Sequence, residues 1–208
     1  IANATDINDV LHDEVLASLT RRWPGLSYTF EGEQREMAAS TASLRKNQIV
    51  ALLMIFAMLA VQFRSYVQPL IVMSVIPFGL VGAVLGHLVM GLDLSLLSGF
   101  GIVALTGVVV NDSLIMIDRI NQQRRQGMPL RRAVLESGCQ RFRPILLTTL
   151  TTFFGLTPMI LERSLQAKFL IPMAVSLSFG VLVATAITLL LVPSVYLILE
   201  DLRDLCRH

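Results

Sequence analysis

Residues 96–117 read LLSGFGIVALTGVVVNDSLIMI. As a helix this stretch crosses a hydrocarbon core about 30 Å thick, which takes roughly 20 apolar residues. Asp112 is its only ionisable residue. The chain around it has the same character. Of 208 residues, 54% are hydrophobic and 15% charged, against roughly 25% charged in a soluble domain. Mean hydropathy is +0.67. This composition excludes a simple globular enzyme and a disordered tail. A net charge of +2 is too small to argue for nucleic acid.

Working outward, residues 49–200 divide into five spans of this kind. The first runs from Ile49 to Phe63 and stops at Arg64-Ser65-Tyr66, with Tyr66 suited to the membrane interface. The second runs from Pro69 to Met90. Pro77 is expected to kink it. Gly79, Gly82 and Gly86 share a face, and Gly82 to Gly86 is a GxxxG that admits a close helix neighbour. Gly91-Leu92-Asp93 turns into the third span, Leu96 to Ile117. An arginine-rich loop, 118–143, follows. Within it Leu130 to Ser137 reads as a short amphipathic helix ended by Gly138. The fourth span runs from Pro144 to Leu161, and 162–168 is a polar loop. The fifth runs from Phe169 to Leu199, long enough to tilt, and 201–208 is a charged tail.

Residues 1–48 look like soluble protein. Ile7, Val10, Leu11, Val15 and Leu19 give an amphipathic helix over 5–22, stopped by Trp23-Pro24-Gly25. Leu26, Tyr28 and Phe30 alternate with polar residues as a strand. Glu33 to Lys46 is helical and leads into the first span. One strand and helix bury no core alone, and the chain begins at Ile1 without a signal segment. It reads as a fragment entered inside a soluble domain. Cys139 and Cys206 are two unpaired thiols.

Arginines set the orientation. Arg119, Arg124, Arg125, Arg131, Arg132, Arg141 and Arg143 lie between spans three and four, with Arg64, Arg203 and Arg207 on the same side. The opposite loops carry Arg163 and Lys168. The arginine loop is therefore expected in the cytoplasm and the N-terminal piece outside. Set between two spans, these arginines read as a membrane anchor rather than an RNA-binding patch.

The third span carries the chemistry. Asn111, Asp112 and Ser113 stand at mid-membrane depth, where a carboxylate costs about 2.5–3.5 kcal/mol on insertion scales. Such a group needs a protein interior or a watery cavity. Gly101, Ala104, Gly107 and Asn111 form a small side that admits a partner helix. Two readings stand: a proton-binding carboxyl beside a polar partner, or a hydrogen-bonded clamp between helices. Thr148, Thr149, Thr151 and Thr152 form a second cluster. Threonines usually bond back to their own helix, and one or two are left to complete a polar path with span three. Gly99 to Ala104 matches GxGxxA but lies in a span, so it signals no dinucleotide site. His12, His87 and His208 are scattered and propose no metal site. No cofactor is expected.

Together, Gly107 to Asp118, Arg141-Phe142-Arg143-Pro144-Ile145-Leu146-Leu147-Thr148-Thr149, Ile76-Pro77-Phe78-Gly79 and Phe169-Leu170-Ile171-Pro172-Met173 resemble the inner-membrane pump of the resistance–nodulation–cell division (RND) family. The resemblance covers essentially the whole chain. It implies a mainly α, polytopic helix bundle, spans eight to twelve of twelve, preceded by the end of an α/β periplasmic porter domain. It also implies a multi-pass protein of the bacterial inner membrane and a homotrimer, exporting amphiphilic molecules or drugs by proton antiport. Its partners would be the rest of the pump chain, a periplasmic adaptor, an outer-membrane channel and the lipid bilayer. In the multidrug branch a tenth-span lysine pairs with fourth-span carboxylates. That lysine position matches Asn111, and the adjacent asparagine is Asp112. The functional threonine matches Thr148, and the cytoplasmic-entry arginine matches Arg141. Without the lysine, either Asp112 takes part directly or Asn111 hydrogen-bonds the distant carboxylates. A non-transporting membrane assembly module is the competing class. An intramembrane protease lacks a second catalytic group.

Overall fold

The structure, a computed structural model, describes residues 11–23 and 33–205. The chain forms two units, Ile1–Ser40 and Thr41–His208. In the first, a π-helical turn at Leu11–Leu16 runs into α1, Ala17–Arg22. Trp23 ends α1, its N–H bonded to the Leu19 carbonyl at 3.0 Å. The expected strand at 26–30 and the helix start at 5–10 lie outside the described residues. Among the described residues there is no strand.

Among the described residues six further helices follow: α2 (Glu33–Phe63), α3 (Val67–Met73), α4 (Ile76–Met90), α5 (Leu96–Arg125), α6 (Leu130–Ile160) and α7 (Leu165–Leu205). Among the described residues four stretches are long and apolar enough to cross a membrane: Ala39–Phe63, Val67–Met90, Leu96–Arg125 and Gln166–Glu200. These match the first, second, third and fifth expected spans. The fourth expected span lies in α6, which is not among them. Thr148, Thr149, Thr151, Thr152 and Thr157 dilute its apolar run.

The second span is broken rather than merely kinked. α3 ends at Met73 and α4 begins at Ile76, with Pro77 in its first turn. Proline is tolerated there because its missing N–H would lack a helical partner anyway. Gly91 then closes α4 with φ of 63°, a left-handed conformation that glycine adopts without strain. Ser95 caps α5: its hydroxyl accepts from the Ser98 N–H at 3.3 Å, and the Ser98 hydroxyl accepts from the Ser95 N–H at 3.1 Å.

One expectation is overturned between residues 118 and 143. They do not form a loop holding a short helix. α5 continues to Arg125 and α6 starts at Leu130, leaving a tight connection in which Gly127 has φ of 85°. Gly138 does not end the helix, and Pro144 lies inside it. A mid-helix glycine costs only about 1 kcal/mol. Ala133, Val134, Ser137, Ile145 and Thr149 are all buried, so continuous packing on both sides of Pro144 keeps the helix whole.

α7 is the hub. It packs against α4, α5 and α6, and the apolar core unites Val72, Ala83, Leu105, Val109, Met116, Val181, Ala184 and Val192. Small residues let the backbones approach. A Cβ on Gly86 would sit 2.5 Å from the Phe179 Cβ, and one on Gly101 would sit 2.5 Å from the Met173 carbonyl oxygen. Gly82 faces Val183 in the same way, whereas Gly107 has nothing within 4 Å.

Candidate functional site

The buried side of α5 carries Gly101, Leu105, Val109, Ser113 and Met116. This leaves Asn111 exposed and Asp112 half-buried at its edge. Ser113 is wholly buried and donates to the Val109 carbonyl at 2.9 Å. The Asp112 carboxyl has no hydrogen-bond or ion-pair partner among the described residues. The small side expected to receive a partner helix splits in two. Gly101 is pressed onto α7, whereas Ala104, Gly107 and Asn111 are open. Among the described residues no helix covers Gly107, which has nothing within 4 Å of an added Cβ.

Thr148 lies in α6 and donates to the Ile145 carbonyl at 2.8 Å, so its hydroxyl does not bond Asn111 or Asp112. Thr151 and Thr152 likewise bond back to their own helix. Thr149 differs. It is buried, and its hydroxyl is 2.7 Å from that of Thr185 on α7. Arg141 is half-buried, at the end of α6 that also carries Arg131 and Arg132.

Sequence and geometry therefore place a carboxyl, an amide and small residues on one open face of a membrane helix. They also place an arginine-rich hairpin at the end of that helix. The sequence model of the AcrB/AcrD/AcrF family matches residues 11–200. The chain belongs to this family. It is a family of RND efflux pumps, so the resemblance read from the sequence holds.

Two solved structures of the same kind match. Both are crystal structures of a heavy metal efflux pump, in two crystal forms. One superposes with a TM-score of 0.76 at 24% identity over 93% of this chain. The other has the same TM-score at 27% identity over 89%. In each case the chain spans 19% of the length of the pump it matches.

This AcrB/AcrD/AcrF family chain also holds polar groups that sequence reasoning passed over. His87 is buried, with Nδ1 2.9 Å from the Ala83 carbonyl and Nε2 2.8 Å from the Ser98 hydroxyl. A carbonyl only accepts, so Nδ1 carries the proton and Ser98 donates to Nε2 in the neutral ring. The histidine thus ties α4 to the capping turn of α5. At the opposite end, Gln68 and Asn121 exchange amide hydrogen bonds of 3.1 and 2.9 Å. The Tyr196 hydroxyl donates to the Asn121 Oδ1 at 2.8 Å, and Arg124 pairs with Glu200. These groups line a cavity of about 320 Å³. Nearby, buried Ser137 donates to Gln123 at 2.9 Å, joining α5 to α6. His87 showed only as an isolated histidine, and Asn121 and Gln123 only as loop polar residues. Their partners lie on other helices, and no spacing along the chain reveals that.

Proposed function

We propose that the chain is the C-terminal membrane part of a proton-driven RND exporter, a secondary active transporter rather than an enzyme. It consists of the end of a periplasmic porter domain at 1–48, five spans within 49–200, and a cytoplasmic tail at 201–208. It sits in the bacterial inner membrane with the 118–143 segment in the cytoplasm. It works as a homotrimer with a periplasmic adaptor and an outer-membrane channel. One observation carries the reading: the Asp112 carboxyl, mid-way along a membrane helix and without a partner among the described residues. A carboxyl at that depth costs several kcal/mol unless it is paired or used. The open face of Ala104, Gly107 and Asn111 beside it is where carboxylates from the remainder of the pump would approach. Asp112 binds or steers the transported proton, Asn111 hydrogen-bonds the approaching groups, and Thr148 and Arg141 line the cytoplasmic approach.

In the full-length protein, Asp112→Asn keeps the size and removes titration. It should abolish energised efflux while expression and trimer assembly stay near normal. A variant that pumps like the parent makes Asp112 a structural clamp. The same outcome, with no energised efflux in the parent, favours the assembly-module reading.

For the substrate, the family resemblance points to amphiphilic small molecules or drugs. The match to heavy metal efflux pumps favours a second reading, a metal cation. Cells expressing the full-length protein should retain less of an amphiphilic dye on the first reading and less metal on the second.

A further inference from the structure

The helix bundle holds a polar cavity that the proton reading does not use. Its volume is about 320 Å³, the small end of ligand pockets, which run roughly 300–1,000 Å³. Three helices wall it: α3 with Gln68, the end of α5 with Asn121, Arg124 and Arg125, and α7 with Tyr196 and Glu200. Gln68 Nε2 donates to Asn121 Oδ1 at 3.1 Å, and Asn121 Nδ2 donates to Gln68 Oε1 at 2.9 Å. Each amide therefore keeps one N–H unused. Asn121 Oδ1 also accepts from the Tyr196 hydroxyl at 2.8 Å, so both its lone pairs are engaged. Arg124 pairs with Glu200, and those two charges cancel. Arg125 lines the same cavity, is exposed, and has no hydrogen-bond or ion-pair partner among the described residues.

The cavity is thus left with one uncompensated positive charge and with free N–H groups on Gln68, Asn121 and Arg125. The ligand it suits is a compact anion rich in acceptors, which is the chemistry of a phosphate group. An arginine in the last turn of α5 also offsets the carbonyl end of that helix. That role asks for no cavity and no amide donors beside it.

Depth fits the same ligand. Gln68 and Met90 stand near the two ends of the second span, at most about 33 Å apart at ~1.5 Å per residue. The hydrocarbon core is about 30 Å thick. On α5, Asn121 lies about 37 Å from Leu96 by the same measure, within a bilayer of about 40–45 Å that includes both headgroup layers. Both walls bring the cavity to one headgroup layer, where lipid phosphates lie and soluble phosphates reach.

We propose that this cavity is a phosphate-binding site, in which Arg125 meets the phosphate oxygens and the spare N–H groups of Gln68 and Asn121 orient them. The phosphate belongs to an anionic lipid headgroup or to a soluble phosphate, and the two share this chemistry.

The test is thermal unfolding of the full-length protein in detergent at fixed ionic strength. Short-chain phosphatidylglycerol, short-chain phosphatidylcholine and inorganic phosphate are titrated separately, since a ligand of the folded state raises the midpoint. Arg125→Gln should raise the apparent Kd about tenfold, the loss of one charge-assisted hydrogen bond. Asn121→Asp keeps both bonds accepted by that oxygen but adds negative charge, and should weaken binding at least as much. Arg131→Gln, exposed and outside the cavity, should change nothing. Arg125-dependent stabilisation by phosphatidylglycerol alone assigns the ligand to the leaflet. The same stabilisation by inorganic phosphate assigns it to solution. No stabilisation by either overturns the proposal. Equal weakening by Arg125→Gln and Arg131→Gln also overturns it, because binding then follows overall charge. Which side of the membrane the site faces rests on the orientation proposed above. A cysteine at Gln126 that labels only from the outer side overturns that orientation and leaves the Arg125-dependent binding standing.

Discussion

Thr149 and Thr148 are neighbours in sequence with different fates. Thr148 bonds its own helix, and Thr149 bonds Thr185 across to α7. The difference is rotation: one residue is about 100° of helix, and only Thr149 faces the hub. A side-chain hydrogen bond between membrane helices is worth about 0.6 kcal/mol on average and at most about 1.7. A double-mutant cycle with Thr149→Val and Thr185→Val should therefore give a coupling energy in that range. Denaturant titration of the purified full-length protein measures it, and zero coupling would make the 2.7 Å contact energetically idle. The position of Asp112 was legible from the sequence because an acid in an apolar run stands out alone. The roles of His87, Asn121 and Gln123 were not. Each is defined by a partner 11, 53 or 14 positions away along the chain.

At the scale of elements, the GxxxG of Gly82 and Gly86 announced a close helix neighbour, but nothing in its spacing said which. The neighbour is α7, through Phe179 and Val183. Gly86→Ala should destabilise, since its new Cβ meets Phe179 at 2.5 Å and overpacking costs about 1–3 kcal/mol. Gly138→Ala has open space and should be neutral or stabilising by up to about 1 kcal/mol. Thermal unfolding of the two variants in the full-length protein should shift in opposite directions or leave only Gly86→Ala shifted. Equal losses at both would contradict the packing. Four of the five expected spans were readable from apolarity and length. The continuity of α6 was not, because Gly138 and Pro144 are local stop signals that the buried side of the helix overrides.

For the molecule as a whole, the arginine distribution is the one long-range signal that the sequence carries without knowing any contact. The proposed topology rests on it and puts the α5–α6 connection on the opposite side of the membrane from the start of α7. A cysteine at Gln126 should react with an impermeant thiol reagent only from the cytoplasmic side, and one at Gln166 only from the outside. The reverse pattern would overturn the topology.

The hub position of α7 also has a consequence in time. Ribosomes make a chain from its N-terminus, so the helix that α4, α5 and α6 all pack on is made after all three. Until it arrives, the narrow faces at Gly82, Gly86 and Gly101 have no occupant, and α4, α5 and α6 wait in the membrane as a half-built set. A nascent chain halted there should look to the cell like damaged goods. Terminating translation of the full-length protein after Arg163 should give a product that inserts but turns over much faster than the parent in a pulse-chase. Supplying α7 as a separate polypeptide should lengthen its life. Equal lifetimes for truncated and intact chains would mean that the earlier helices complete one another without their keystone.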